Sequence, residues 1–344
     1  MQIQRYIKTG SMMLAASLVS SLALAQEWEP EQPINIIVPW GAGGSTDQVT
    51  RATAPILSEA LGQNIVIVNQ AGASGAIGTR EVLEGDLDGY TWTANAIANN
   101  ANYAVTGLIE DTDIDDWHIY LSVANVPVVS VPADSEFEDF GDLLRGFQER
   151  GREITVATAG VTSSGGTAIG SLSETGEFEY RMITYDGGNP AVVAAARGEA
   201  MVTTQLAVEQ SEMIRGGRLR PLAVLSDTAL TIEGADPIPP VTEWLPDLPI
   251  APDYFGIFLP RGVPDNVVAT MDRIWEEQVM NSDALRDYAD RQGAVFDPSY
   301  GEEARARAMP IAIQEACAYV ERGEAEIDPI EIGIDCDTRT EVER

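Results

Sequence analysis

Apolar runs that feed glycine-rich loops, each followed by an amphipathic run, give this chain its rhythm. Residues 33–39 have the apolar content of a buried strand. Gly41-Ala42-Gly43-Gly44-Ser45-Thr46-Asp47 interrupts them, and Val49, Ala52, Thr53, Ile56, Leu57, Ala60 and Leu61 then keep helical spacing until Gly62 stops the helix. The same design recurs where residues 65–68 run into a loop from Asn69 to Gly78, residues 154–157 into a loop from Thr158 to Gly166, and residues 181–184 into Tyr185-Asp186-Gly187-Gly188-Asn189-Pro190. An Asp88-Gly89 turn precedes a strand at 90–93, which leads to a polar loop around Asn95, Asn99 and Asn100. The first region therefore reads βαβαβ, a parallel-sheet signature.

Strands at 119–124 and 126–131, broken by Asn125 and Pro127, predict a crossing to a second lobe. That lobe carries a helix at 137–150 ended by Gly151, the two middle glycine loops, a short strand at 201–204, a helix at 207–215 and a strand at 222–225. A Pro-rich stretch, 236–252, precedes a returning strand at 254–259 and helices near 265–280, 283–291 and 300–322. Two loops early and two in the middle predict two α/β lobes facing each other across a cleft, each a mainly parallel sheet flanked by helices. The expected division is lobe 1 over 26–126 and 253–323, lobe 2 over 127–252, and an acidic tail over 324–344.

Glycines at a helix start let a ligand approach the backbone, where free N–H groups and the positive end of the helix dipole form an anion site without any basic side chain. Ser45, Thr46 or Asp47 can cap the first such helix, and Asn189 with Pro190 suit the cap and first turn of the fourth. The backbone of Ala42, Gly43, Gly44 and Ser45 and of Gly72, Ala73, Ser74 and Gly75 is thus predicted to hold one carboxylate. Hydroxyls of Thr162, Ser163 and Ser164 would take the other end of the ligand, with Trp40 and Tyr185 as flat walls; core packing is the competing role for Trp40.

Composition narrows the partners. Arg5 and Lys8 precede an apolar run at 12–25 that ends in Ala23-Leu24-Ala25, the pattern of a cleaved secretory signal over 1–25. Without it, 19 basic residues face 54 acidic ones and no lysine remains. Such an excess argues against nucleic acid and anionic membrane as partners and burdens the fold with self-repulsion that salt relieves. A protein of a saline habitat is the expectation, and its melting temperature should rise between low and molar sodium chloride; an unchanged value would contradict it. Cys317 and Cys336, an even count in an exported chain, predict a disulfide that pins the acidic tail to the last helix.

Catalytic residue types are scarce. His118 is the sole histidine and reads as a surface or strand-edge residue, so no serine or cysteine triad is expected. Loss of Lys8 removes Schiff-base and phosphate-loop chemistry. Gly41 to Thr46 begins like a dinucleotide fingerprint but lacks its last glycine. Asp111, Asp113, Asp115 and Asp116 resemble the opening of a calcium loop, yet the sixth position is Asp116 and the twelfth Ser122, so a solvated acidic loop is the better reading. No metal and no cofactor is expected. A binding protein is the favoured class; an exported nucleotide-dependent oxidoreductase built on the first βαβ unit is the alternative.

At these loops the sequence resembles the tripartite tricarboxylate transporter receptors, the periplasmic family that includes the Bug solute-binding proteins. The resemblance rests on Ile36-Ile37-Val38-Pro39-Trp40 with Gly43-Gly44-Ser45-Thr46-Asp47 and Arg51, and on Leu61-Gly62-Gln63 with Val66-Ile67-Val68-Asn69 and Gly72-Ala73 through Gly78. Asp88-Gly89-Tyr90-Thr91, Tyr185-Asp186-Gly187-Gly188, Gly198-Glu199 and Gly217-Arg218-Leu219-Arg220-Pro221-Leu222-Ala223-Val224 extend it. Order and spacing hold from about residue 33 to 310. It implies a type II-like, monomeric periplasmic binding protein that delivers a carboxylate solute to the permease subunits of a transporter. It also implies that Trp40, Gly41, Ala42, Gly43, Gly44, Ser45, Thr46 and Gly72 to Gly75 grip the carboxylate, while Thr162 to Ser164, Tyr185, Thr204 and Gln205 select the rest. Met201 and residues 203–205 depart from the usual pattern.

Overall fold

The computed structural model describes residues 27–110, 112–250 and 252–342; the signal sequence expected over 1–25 and Asp111 lie outside them. Chain order begins with β1 (Ile34–Val38), α1 (Ser45–Leu61), β2 (Ile65–Asn69), α2 (Ala76–Leu83), β3 (Thr91–Ala96), α3 (Ile97–Val105) and β4 (Trp117–Asn125). There follow β5 (Val128–Pro132), α4 (Phe140–Arg150), β6 (Thr155–Thr158), α5 (Ser164–Thr175), β7 (Arg181–Thr184), α6 (Gly188–Ala196), β8 (Val202–Thr203), α7 (Ala207–Arg215) and β9 (Leu219–Val224). The chain closes with β10 (Asp253–Pro260), α8 (Asp265–Ile274), α9 (Asp283–Gln292), β11 (Val295–Tyr300), α10 (Gly301–Glu321) and a small hairpin, β12 (Ile334–Asp335) with β13 (Thr340–Glu341).

Two mixed sheets result, in the orders β11-β4-β10-β3-β1-β2 and β7-β6-β8-β5-β9. The βα units supply the parallel pairs β1 with β2 and β3, and β6 with β7 and β8. Antiparallel pairs come from the long-range strands: β10 lies between β3 and β4, and β5 between β8 and β9. The chain leaves the first sheet after Asn125 and re-enters it at Asp253, and these two residues are register partners, so both connections pass one point. Each sheet is covered on both faces. Ile34, Ile36, Val38 and Trp92 pack with Leu57, Met271 and Trp275 on one side of the first sheet, and Ile37, Ile119, Leu121 and Phe258 with Ala304 and Ile311 on the other.

Several local expectations change. The polar loop foreseen around Asn99 and Asn100 is helix α3; every residue of it is buried, so no amphipathic stripe exists to reveal it. Its asparagines pair inside: Asn95 Nδ2 donates to Asn100 Oδ1 (2.9 Å) and Tyr103 Oη (3.1 Å). Strand β11, unforeseen, separates the last two helices. The helix expected to 280 continues past Ile274 as one π-helical turn, Trp275–Val279. The acidic segment is a 3-10 turn, Ile114–Asp116, started by an Asp113 capping box. Gly62 ends α1 in the left-handed region, φ 63°, as its position predicted. Cys317 and Cys336 are bonded, with Cα atoms 5.3 Å apart, which fastens the β12–β13 hairpin to α10.

Candidate functional site

The loops after β1 and β7 meet across the cleft. Gly41 N–H donates to the Asp186 carbonyl at 2.9 Å, and a Cβ on Gly41 would lie 2.3 Å from that oxygen, so only glycine permits the approach. Helix α1 does not use the expected side-chain cap. Its N-cap is Gly44, and Ser45 is already its first residue. Asp47 instead reaches back to accept from Gly43 N (2.9 Å) and from Asn69 Nδ2 (3.0 Å), while Arg51 pairs with it from the next turn. Burial opposes the Asp47 carboxylate, yet Arg51, Gly43 and Asn69 together hold its pKa below the usual range. The α1 tip therefore keeps the Ser45 N–H free of local capping. Helix α6 begins at Gly188 after N-cap Gly187, not at Asn189 and Pro190, because the glycines already turn the chain into the helix.

Into this tip projects Glu209, from the third residue of α7. Ser45 N–H donates to Glu209 Oε1 at 2.7 Å, and Leu206 N–H, the N-cap of α7, donates to Oε2 at 3.3 Å. In the orientation that satisfies both its ends, the Gln205 amide nitrogen donates to Oε2 (2.8 Å) and its oxygen accepts from Ala159 N (2.8 Å). Gly188 lies against the same carboxylate: a Cβ there would fall 2.0 Å from Oε1. The helix tips of α1, α6 and α7 thus converge on one buried carboxylate. Burial raises the Glu209 pKa, and the Ser45 N–H, the Ser45 side chain and the Leu206 N–H oppose the rise.

A second carboxylate closes the deep end of the cleft. Asp253, at the start of β10, accepts from Ala98 N at the α3 tip (3.2 Å) and from the Ser164 hydroxyl at the α5 tip. Burial pushes its pKa up to about 6 against those two donors. Behind it Glu315, of α10, accepts from Asn102 Nδ2 (3.1 Å). Its pKa is pushed up to about 7, chiefly by burial and further by the Asp253 charge, against the pull of Asn102 and Arg322.

The foreseen site residues divide accordingly. Trp40, Gly44, Ser45, Thr46, Ser163, Ser164 and Gln205 line the space between the lobes, with Asn99, Phe255, Gly188 and Glu209, which the sequence reading omitted. That space is a cavity of about 20 Å³, room for about one water. Among the described residues, no cationic side chain lines it. Trp40 is also core, 7% exposed, with Nε1 donating to Asn95 Oδ1 (3.0 Å). Gly41 and Gly43 flank the tip, and Ala42 is exposed.

Residues Gly72 to Gly75 do not line this cavity. They form a 3-10 turn in which Ala73 is exposed, Gly75 packs on the Trp40 ring, and the Ser74 carbonyl accepts from Thr162 Oγ1 of the other lobe (3.1 Å). The hydroxyls expected to meet a ligand have internal partners: Ser163 Oγ caps α5 through Gly166 N (3.1 Å), and Thr204 Oγ1 donates to Gly165 O (2.7 Å). Tyr185 is half-buried against the core of the second sheet rather than at the cavity. Asn99, whose Nδ2 donates to the Thr162 carbonyl, adds another bond between the lobes. His118 is half-buried near the start of β4, and burial, with help from Arg261, lowers its pKa against the pull of Asp265. Glu209 gave one faint signal, a glutamate at the third position of a helix, where a capping box places it.

Two α/β lobes joined by paired crossings and closing on helix tips make a two-lobed binding-protein fold. The family model described as tripartite tricarboxylate transporter family receptor matches residues 49–309, and the chain belongs to this family. BugT of Bordetella pertussis is 29% identical over 309 residues, spanning 86% of this chain and 90% of that protein. Among solved structures, Rpa4515 of R. palustris with adipate has a TM-score of 0.77 at 23% identity, covering 86% of this chain and 99% of its own. MatC of Rhodopseudomonas palustris with bound malate has a TM-score of 0.73 at 20% identity, covering 86% and 97%. At such identities these two likenesses bear on the fold alone.

Proposed function

We propose that this protein is a periplasmic receptor that captures a small organic acid between its lobes and delivers it to the permease of a tripartite tricarboxylate transporter, without catalysing a reaction. The observation that supports this most is that the Ser45 N–H at the α1 tip grips a carboxylate oxygen at 2.7 Å, beside a cavity that no cationic side chain lines among the described residues. A helix tip of this kind binds a carboxylate by dipole and N–H alone. Such donors also suit a protein of net charge −33, since short hydrogen bonds survive the salt that screens long-range repulsion of an anion.

On this reading the Ser45, Thr46 and Gly44 backbone holds the solute carboxylate, and Ser163, Ser164 and Gln205 face its remainder. Closure occurs about the paired crossings at Asn125 and Asp253. The test is a thermal-shift screen of mono-, di- and tricarboxylates beside NAD(P). A ligand present at a hundred times its Kd stabilises by about 2.7 kcal/mol, a readable shift. At least one acid should raise the melting temperature, whereas stabilisation by the dinucleotide alone, or by nothing, would overturn the reading.

A further inference from the structure

Glu209 stands where the receptor reading puts a solute's carboxylate. Its Oε1 holds the Ser45 N–H across the cleft, so the donor that defines the site already has a carboxyl oxygen from the opposite lobe. The surroundings are shaped to that carboxylate. Gly188 leaves the space its oxygens need, and Glu209 is only 7% exposed. The cavity beside it, about 20 Å³, cannot take even a four-carbon diacid. Among the described residues no cationic side chain lines the cavity to let two carboxylates share the tip.

Release of Ser45 would not strand Glu209. Its other oxygen accepts from Leu206 N and from the Gln205 amide within its own lobe, so the side chain has partners to retain when the lobes part. The hydrogen bonds from the Ser45 backbone and side chain are lost and those within the lobe persist. That is the arrangement of a latch.

We propose that Glu209 is an internal competitor for the α1 tip: it latches the closed lobes through Ser45, and a solute carboxylate must displace it to bind. The inference rests on the receptor reading above for the identity of the displacing group. It makes Glu209 the residue that sets the affinity of the cleft, because every acid bound is exchanged for a carboxylate already there.

The test uses the mature full chain with Glu209→Gln, which is isosteric but sets an amide NH₂ against the donors on one of its two sides and so weakens the latch, and Glu209→Ala, which removes the group. Calorimetric titration with succinate, malate, adipate, citrate and aspartate, and scattering of the solute-free proteins, are the two readouts. Both variants should bind the acid that the wild type prefers at least tenfold more tightly, and the solute-free Glu209→Ala protein should have the larger radius of gyration. Unchanged or weaker binding of that acid would overturn the competitor role. A loss confined to aspartate would overturn it too, by putting Glu209 on the cationic group of an amino acid. If no protein binds any acid, the receptor reading fails and scattering alone decides the latch: expansion of Glu209→Ala upholds it, and identical radii refute it.

Discussion

Gly41→Ala is expected to fold and yet fail to close. Its new Cβ would sit 2.3 Å from the Asp186 carbonyl oxygen and 3.9 Å from Gly187 Cα, both backbone atoms that no rotamer change can move. Gly41 lies outside any helix or strand, and its backbone is not among those at positive φ, so alanine costs the isolated lobe little. The strain falls on the contact between lobes, where the Gly41–Asp186 hydrogen bond would be lost together with the fit around it. A solute that is held only by the closed form pays for opening in affinity. Binding should weaken at least hundredfold, about 2.7 kcal/mol, with the melting temperature of the solute-free protein within a few degrees of wild type. Titration and scattering on the variant check this; wild-type affinity with wild-type compaction would show that the approach of these loops is not part of capture.

The second large effect is on stability against pH. Asp253 and Glu315 are buried, and their carboxyls are raised from 3.8 to about 6 and from 4.5 to about 7. A raised acid keeps its proton in the fold after the unfolded chain has lost it. The folded state therefore binds more protons between about pH 4 and 7, and stability falls as pH rises through that window. Each shift corresponds to something on the order of 3 kcal/mol, and the two are not additive, since the Asp253 charge contributes to the Glu315 shift. Asp47 and Asp297 are shifted the other way, each against its burial: Asp47 by Arg51, Gly43 and Asn69, and Asp297 by Arg307 and Tyr254. Their contribution is lost only below about pH 4. The melting temperature should thus peak near pH 4–5 and decline toward pH 8. Asp253→Asn with Glu315→Gln should flatten the decline, and an undiminished slope in that double variant would assign the decline instead to the other carboxyls that burial raises, Glu209 and Asp272, and to general self-repulsion.

What the sequence made legible follows from where burial is one-sided. The strand, glycine loop and helix units could be read because each sheet packs apolar residues against a helix with a wet outer face, as α1 does with Val49, Leu57 and Leu61 inside. The crossings could be read because Asn125 and Pro127 interrupt apolar runs. Helix α3 could not, since Ile97 to Val105 are all buried and its asparagines find partners in the interior on other elements, Asn99 with Thr162, Asn100 with Asn95 and Asn102 with Glu315. Strand β11 carries Asp297 and Pro298 in a segment of half-buried residues, which hides its alternation. Helix starts were misplaced where glycine did the turning, at Gly44 and Gly187, ahead of the polar residues that looked like caps.

The site was legible as chemistry more than as a residue set. Helix tips at a cleft, free of basic side chains, were foreseen, and the tips of α1, α3, α5, α6 and α7 do meet carboxylates there. Those carboxylates belong to the chain itself. Glu209 lies in the acidic, polar stretch Glu209-Gln210-Ser211-Glu212, which reads as a solvated face, and its burial depends on Gly44 and Gly188, remote in sequence. No periodicity along α7 could have announced a contact with the opposite lobe.

On the receptor reading, backbone N–H groups at the α1 tip capture a carboxylate solute. A crystal structure of the mature protein with the acid it binds most tightly tests that directly. The expected structure has a solute carboxylate oxygen within hydrogen-bonding distance of Ser45 N, Glu209 turned back to Leu206 N and Gln205, and no arginine touching the ligand. A solute held instead by an arginine side chain, or seated outside the cleft with Glu209 still on Ser45, would contradict it.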